Sequence, residues 1–232
     1  AQLNTMAIQT AQTANVAAAN IRNRQAYFDS FANAESIQEF GNLLPPDASL
    51  QQPRATAANT NSSLQLQAQI ALVAFKSGVS VSADLIDNGF DTHSFHDRDH
   101  EPVIANTMDA IDYLWTYAEE LGLADRLVVV VGSDFGRTPY YNSGDGKDHW
   151  PIGSYMIMEK NAPYTNYVYG LTDEGHNAQL INPSTLLPDQ NNGILIYTKH
   201  VHKALRMYLG LEGSAAALKF PFNNTEDFQF FS

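Results

Sequence analysis

A run of five consecutive apolar residues, Leu127–Val131, constrains the fold more than any other feature of the sequence. Four of the five are valines, whose branched side chains favour strands. A strand that is apolar on both faces must be covered on both sides, which is typical of the middle of a parallel sheet. The run ends in Gly132-Ser133-Asp134. We therefore expect a buried strand that delivers the Asp134 carboxylate at its C-terminal end.

Regular elements are predicted on both sides of this strand. Ser63–Ser77 and Pro102–Leu121 show apolar residues at helical spacing, and Gly78 and Gly122 follow them as stops. Val79–Ile86 alternates apolar and small polar residues, as a strand does. This order predicts an α/β sandwich with a mostly parallel central sheet flanked by helices. Three further elements are expected: strands over Ser154–Met158 and Tyr167–Leu171, and a helix over Thr198–Leu209.

The sequence divides into two regions. Residues 1–62 predict a helical N-terminal segment, which includes a helix over Ala26–Phe40, followed by a Pro-containing loop. Residues 63–232 predict one α/β domain, with the aromatic tail Phe220–Ser232 docked on it. Residues 1–20 carry no charged side chain, so disorder is the alternative there. The chain begins at Ala1 without a signal peptide, so we expect a processed product or the C-terminal part of a longer protein.

Composition excludes several classes of function. The formal net charge of −12 argues against nucleic-acid binding, which usually needs a basic face. The absence of cysteine excludes disulfides, thiolate zinc sites and cysteine nucleophiles. No apolar run approaches the roughly 18 residues that span a bilayer.

Two Asp/His pairs point to a metal site. Asp91 and His93 follow the predicted strand Val79–Ile86 and, two apart in an extended segment, they point the same way. Asp134 and His149 follow the second strand, and ligands of α/β sheets bind outside the carboxyl ends of strands. Carboxylate and imidazole ligands suit zinc, manganese or iron. The alternative is that the acidic residues of this region only cap helices and turns.

Other side chains near these pairs have expected roles. Asp148 is expected to orient His149. Arg137 is a natural clamp for phosphate or sulfate oxygens, and a structural salt bridge is its alternative. His96 and His100 are weaker ligand candidates. The remaining histidines, His176, His200 and His202, are expected to be packing or surface residues.

Three segments resemble the C-terminal half of the family called domain of unknown function 1501. They read GFDTHSFHD, VVVVGSDFGRTPYYNSGDGKDHWPIGSYMIM and KHVHKALRMYLGL. The resemblance extends from about Leu64 to Phe231. Members of that family are usually described as sulfatase-like and as exported by the twin-arginine route, so the resemblance implies a periplasmic or extracellular protein.

That family is similar in fold to the alkaline phosphatase superfamily, in which Asp and His metal ligands lie at strand ends. The resemblance gives ligand roles to Asp134, to the pair Asp91 and His93, and to His149. Phe135 stands where that superfamily usually has a His or Asn. In that superfamily the nucleophile lies in a segment near the N-terminus. Residues 1–62 contain no such segment, so we expect a partial domain whose nucleophile lies outside this chain.

These observations together predict a metal-dependent hydrolase of sulfate or phosphate esters. Zinc, manganese or calcium would be its cofactor, and a small-molecule ester its ligand. The N-terminal half of the same protein, or further copies of the chain, are the expected protein partners. The rival hypothesis is a non-catalytic exported binding or assembly protein that retains the fold, and a structural calcium site is a third.

Overall fold

The computed structural model describes residues 33–52, 54–55, 61–164 and 166–231. The chain forms two compact units, Ala1–Asn88 with Ile104–Leu123, and Gly89–Val103 with Ala124–Ser232. The predicted helix over residues 1–20 and the first part of Ala26–Phe40 lie outside the described residues. The described residues form four α-helices and small antiparallel sheets, which confirms the mixed α/β class.

The helices agree well with the sequence. They are α1 (residues 33–43), α2 (Leu64–Lys76), α3 (His96–Glu120) and α4 (Thr198–Tyr208). Gly122 follows α3 with a φ of 67°, a left-handed conformation that costs glycine little. The next amide, that of Leu123, donates to the Ala118 carbonyl and closes the helix end. No helix in the described part of the chain is long and apolar enough to cross a membrane.

The strands differ more from expectation. They are β1 (Arg54–Ala55), β2 (Asn61–Ser62), β3 (Val128–Val131), β4 (Gly136–Arg137), β5 (His149–Trp150) and β6 (Met156–Glu159). The valine strand β3 pairs antiparallel with β6, Val128 opposite Glu159 and Val131 opposite Met156. The described residues show no mostly parallel central sheet, because β3 has this single antiparallel neighbour and Val130 is 43% exposed.

The predicted strand over Val79–Ile86 is wrong. This segment is irregular, and Val81 is 97% exposed. The backbone of Ile86 is satisfied by a side chain: its amide donates to Gln67 Oε1, and its carbonyl accepts from Gln67 Nε2, each at 2.8 Å. Tyr167–Leu171, also predicted as a strand, forms none either, and Val168 in it is exposed.

The sequence predicts that helix α3 starts at Pro102. In the structure it starts six residues earlier, at His96. The amides of Phe95 and His96 donate to the carbonyls of Gly144 and Asp145 at 3.1 and 2.8 Å. These bonds satisfy donors at the helix start that would otherwise lack partners. A loop distant in sequence therefore sets the start of the helix, and acidic caps near Pro102 are not used.

The core of the second unit lies between α4 and the C-terminal tail. Its buried cluster consists of Ile181, Val201, Ala204, Leu205, Phe228 and Phe230. Val201 and Leu205 lie on the buried face of α4. Phe228 and Phe230 are 4% and 6% exposed, which confirms that the tail docks.

Candidate metal centre

Three side chains that the sequence predicts as ligands meet at one point. Asp91, His93 and His149 each offer one ligand atom, and these atoms lie within 4.8 Å of one another. Asp91 Oδ1 lies 3.0 Å from His93 Nε2 and 3.2 Å from His149 Nε2. The two Nε2 atoms are 3.0 Å apart. The structure thus joins the two Asp/His segments, as the sequence predicts.

A short hairpin and an irregular segment position these residues. Strands β4 and β5 pair antiparallel with Arg137 opposite His149, so that both side chains lie on one face of the hairpin. Asp91 and His93 come from the irregular segment before α3. Asn142 Nδ2 donates to the His93 carbonyl at 3.0 Å and ties that segment to the loop between the two strands.

The hydrogen bond to Asp148 selects one tautomer of the neutral His93 ring. Its Nδ1–H donates to Asp148 Oδ1 at 2.9 Å, which leaves Nε2 with a lone pair when the ring is neutral. A carboxylate on the far nitrogen is the usual partner of a metal-binding histidine. Asp148 thus orients His93, whereas the sequence led us to expect that it would orient His149. Hydrogen bonds from His93 and from Asn142 keep the pKa of Asp148 below its ordinary value.

Hydrogen bonds do not account for every contact among the three converging atoms. In the neutral tautomer set by Asp148, Asp91 Oδ1 and His93 Nε2 are both acceptors, and they face each other at 3.0 Å. Arg137 donates to both of them, at 2.6 Å to Asp91 Oδ1 and at 3.5 Å to His93 Nε2. A cation at the centre of the three atoms would contact all of them at once.

The dimensions of the triangle fit a first-row or zinc-type metal. Ligands about 2.0–2.2 Å from a metal and roughly 90–110° apart are separated by roughly 2.8–3.6 Å. The edges of 3.0, 3.2 and 3.0 Å fall in this range. Two imidazoles and one carboxylate are a donor set for zinc, manganese or iron, and they suit calcium less because it prefers oxygen. All three side chains are exposed, so further positions stay open to solvent.

Arg137 supports the carboxylate. Its guanidinium donates to Asp91 Oδ1 at 2.6 Å and also to the carbonyls of Phe90 and Lys147. The hydrogen bond from Arg137, with a second from His149, lowers the pKa of Asp91 from 3.8 to about 2. Asp91 is therefore ionised, as a ligand must be, over the whole physiological pH range. The contact of Arg137 with an anion stays a prediction.

Asp134 is not brought into this group. Among the described residues, the ligand group contains Asp91, His93 and His149. Instead, the ring of the next residue, Phe135, stacks on His149 with centroids 3.9 Å apart. The ring of Phe135 thus covers one face of a ligand, and a ligand role for Asp134 stays a prediction.

The comparison with known families confirms the family but not the predicted bounds of the resemblance, which were about Leu64 to Phe231. The model of the family described as Protein of unknown function (DUF1501) matches residues 1–209. The chain belongs to this family. No curated protein and no solved structure matches it.

Two side chains close to the metal centre, those of Asn142 and Thr92, were not predicted from the sequence. Asn142 links His93 and Asp148 through one amide group, and its Oδ1 also accepts from the amides of Gly144 and Gly146. Thr92 contacts His96 and His100. The Asn-Ser-Gly-Asp-Gly composition of the loop signals a turn, but it does not show which groups the Asn side chain reaches.

Proposed function

We propose that this protein is an exported metal-dependent hydrolase of sulfate or phosphate esters. The proposal rests on the convergence of Asp91, His93 and His149, whose ligand atoms are separated by distances that suit one metal ion. The bound cation would supply Lewis acidity toward an ester oxygen. The side chains of the chain itself would hold and orient it, with zinc or manganese favoured over calcium by the two imidazoles.

The charge of the centre supports an anionic ligand. Asp91 and Asp148 are the carboxylates in contact with the histidines, and Arg137 contributes a guanidinium. With a divalent cation the group has a residual positive charge. Lys147 adds another ammonium nearby, over the ring of Tyr141 at 4.8 Å. A sulfate or phosphate oxygen is therefore a better ligand for this centre than a neutral group.

The resemblance to alkaline phosphatase-like enzymes supports the reaction class. From this resemblance we also propose an alkaline-phosphatase-like sandwich, a periplasmic or extracellular location, and a nucleophile outside this chain. Asp134 would serve as a ligand of the same centre or of a second one.

One observation favours the rival, a non-catalytic binding or assembly protein. Phe135 lies on His149 where a metal ligand is usual in the superfamily. In that case the same residues would bind a cation as a structural element, without turnover.

The test combines metal content with turnover. The full-length protein, stripped with a chelator and reloaded with zinc or manganese, is assayed on aryl sulfate and aryl phosphate esters. We expect one metal per chain and metal-dependent hydrolysis, with both lost in His149→Ala. His202→Ala is the matched control, because His202 is exposed and lies outside the ligand group.

Stoichiometric metal without turnover of either ester would favour the non-catalytic protein. If His149→Ala binds as much metal as the wild type, the ligand assignment is wrong.

A further inference from the structure

Thr92 lies between two of the ligands in sequence, but its side chain takes part in a separate cluster. Its Oγ1 lies 2.7 Å from His96 Nδ1 and 3.2 Å from His100 Nδ1. The two imidazoles stack with centroids 4.4 Å apart, one turn apart on α3. Thr92 is 5% exposed, so its hydroxyl is cut off from bulk water. Two ring nitrogens therefore share one buried hydroxyl.

This arrangement restricts the protons of both rings. A hydroxyl has one proton and two lone pairs, so it donates to at most one Nδ1 and accepts Nδ1–H from at least one of the two rings. Opposite tautomers, with Nε2–H on His96 and Nδ1–H on His100, use the hydroxyl both as donor and as acceptor. We therefore expect these tautomers for the two rings.

The cluster and the metal ligands share one short segment of backbone. Asp91 and His93 turn toward His149, and Thr92 turns toward His96 and His100. The Thr92 carbonyl also accepts from the Lys147 amide at 3.1 Å. Fixing the Thr92 side chain therefore fixes the direction of the ligands on either side of it.

We propose that Thr92, joined to His96 and His100, is the positioning residue of the metal centre. It acts through the backbone of residues 91–93, which it holds so that the Asp91 and His93 ligand atoms converge with that of His149. This inference rests on the metal site of the proposed function. Four titratable or charged groups face the pair of histidines: Tyr141, Lys147, Arg137 and Asp97.

The experiment compares Thr92→Val with Thr92→Ser. Valine keeps the shape of threonine without the hydroxyl, whereas serine keeps the hydroxyl. We expect Thr92→Val to weaken zinc binding, measured by calorimetry, by roughly 10–100-fold, the range typical for partners of metal ligands. Thr92→Ser should restore affinity close to that of the wild type. Thr225→Val is the matched control, since Thr225 is also buried and donates to the Asn223 carbonyl.

A second readout needs no metal. Nitrogen-15 spectra of the metal-free protein should show Nε2–H on His96 and Nδ1–H on His100, and Thr92→Val should remove this difference and shift the His93 ring signals. Equal zinc affinity for the Val and Ser variants would overturn the positioning role. If the wild type binds no zinc, the proposed function fails. In that case the His93 ring signals decide the positioning role separately. It is wrong if these signals are the same in Thr92→Val and in the wild type.

Discussion

At the scale of the residue, the carboxylate of Asp91 has three nitrogen neighbours from three different side chains. One of its oxygens faces a guanidinium and two imidazole nitrogens, all within 3.2 Å. The two-residue spacing of Asp91 and His93 made their common direction predictable. The distance from Asp134 to the same point depends on how the loop after β3 bends, which local sequence does not encode.

Removing the guanidinium should raise the pKa of Asp91. In Arg137→Met we expect this pKa to move from about 2 toward the ordinary 3.8, because the hydrogen bond from Arg137 is the largest cause of the shift. A lowered folded-state pKa stabilises the fold above pH 3.8, and this stabilisation disappears as pH falls through about 2. Above pH 3.8, the variant should therefore have a lower free energy of unfolding than the wild type.

Carbon-13 carboxyl titration of the metal-free protein measures this pKa, and Arg137→Lys is the control that retains charge. An unchanged Asp91 pKa in Arg137→Met would show that the contact with Arg137 is not formed in solution.

At the scale of the element, the helices could be predicted more fully than the strands, of which β3 and β6 were predicted but their pairing was not. Helices depend on neighbours three and four residues away, so α2 and α4 start and end within a residue of expectation. Strands depend on partners distant in sequence. The valine run of β3 was recognised as a strand, but its antiparallel partner β6 could not be read from it. The hydrogen bonds that the amides at the start of α3 donate to the Gly144 and Asp145 carbonyls are non-local in the same way.

The loop between β4 and β5 needs a glycine at position 146. A Cβ there would overlap the His93 carbonyl, so Gly146→Ala must displace a metal ligand or the loop. We expect a loss of about 1–3 kcal/mol in the free energy of unfolding, as for other overpacked sites, and weaker zinc binding. Urea denaturation and calorimetry provide the two measurements.

Gly41→Ala is the matched control. This glycine lies in α1, and an added methyl group would meet no atom within 4 Å, so alanine should stabilise the helix by about 0.5–1 kcal/mol. Equal stability and zinc affinity for Gly146→Ala and the wild type would contradict the close approach of the loop to His93.

At the scale of the whole molecule, the C-terminal tail is anchored through a buried histidine. His200 is 1% exposed; its Nδ1 accepts from the Tyr197 amide at 2.9 Å, and its Nε2–H donates to Glu226 at 3.1 Å. Lys203 adds an ion pair with Asp227. The sequence indicated that the aromatic tail docks, but the role of His200 was not predictable, since its partner lies 26 residues away.

This anchor should make stability depend on pH. Burial lowers the pKa of His200 below 6.5, so the folded state holds the ring neutral. Stability is then lost as pH falls below 6.5 toward the folded-state pKa, because the unfolded chain takes up the proton first. His200→Asn keeps an acceptor for Tyr197 but does not titrate.

We expect His200→Asn to have a lower Tm than the wild type at about pH 7.5 and a smaller loss of Tm between about pH 7.5 and 5.5, since only the wild type has the titrating ring. Equal losses in the two proteins would show that the titration of His200 does not affect stability.

Anomalous X-ray diffraction from zinc-loaded crystals would show whether Asp91, His93 and His149 bind one metal ion. We expect one zinc peak within about 2.0–2.2 Å of Asp91 Oδ1, His93 Nε2 and His149 Nε2. A zinc peak elsewhere, with these three atoms bound only to one another or to water, would contradict this expectation.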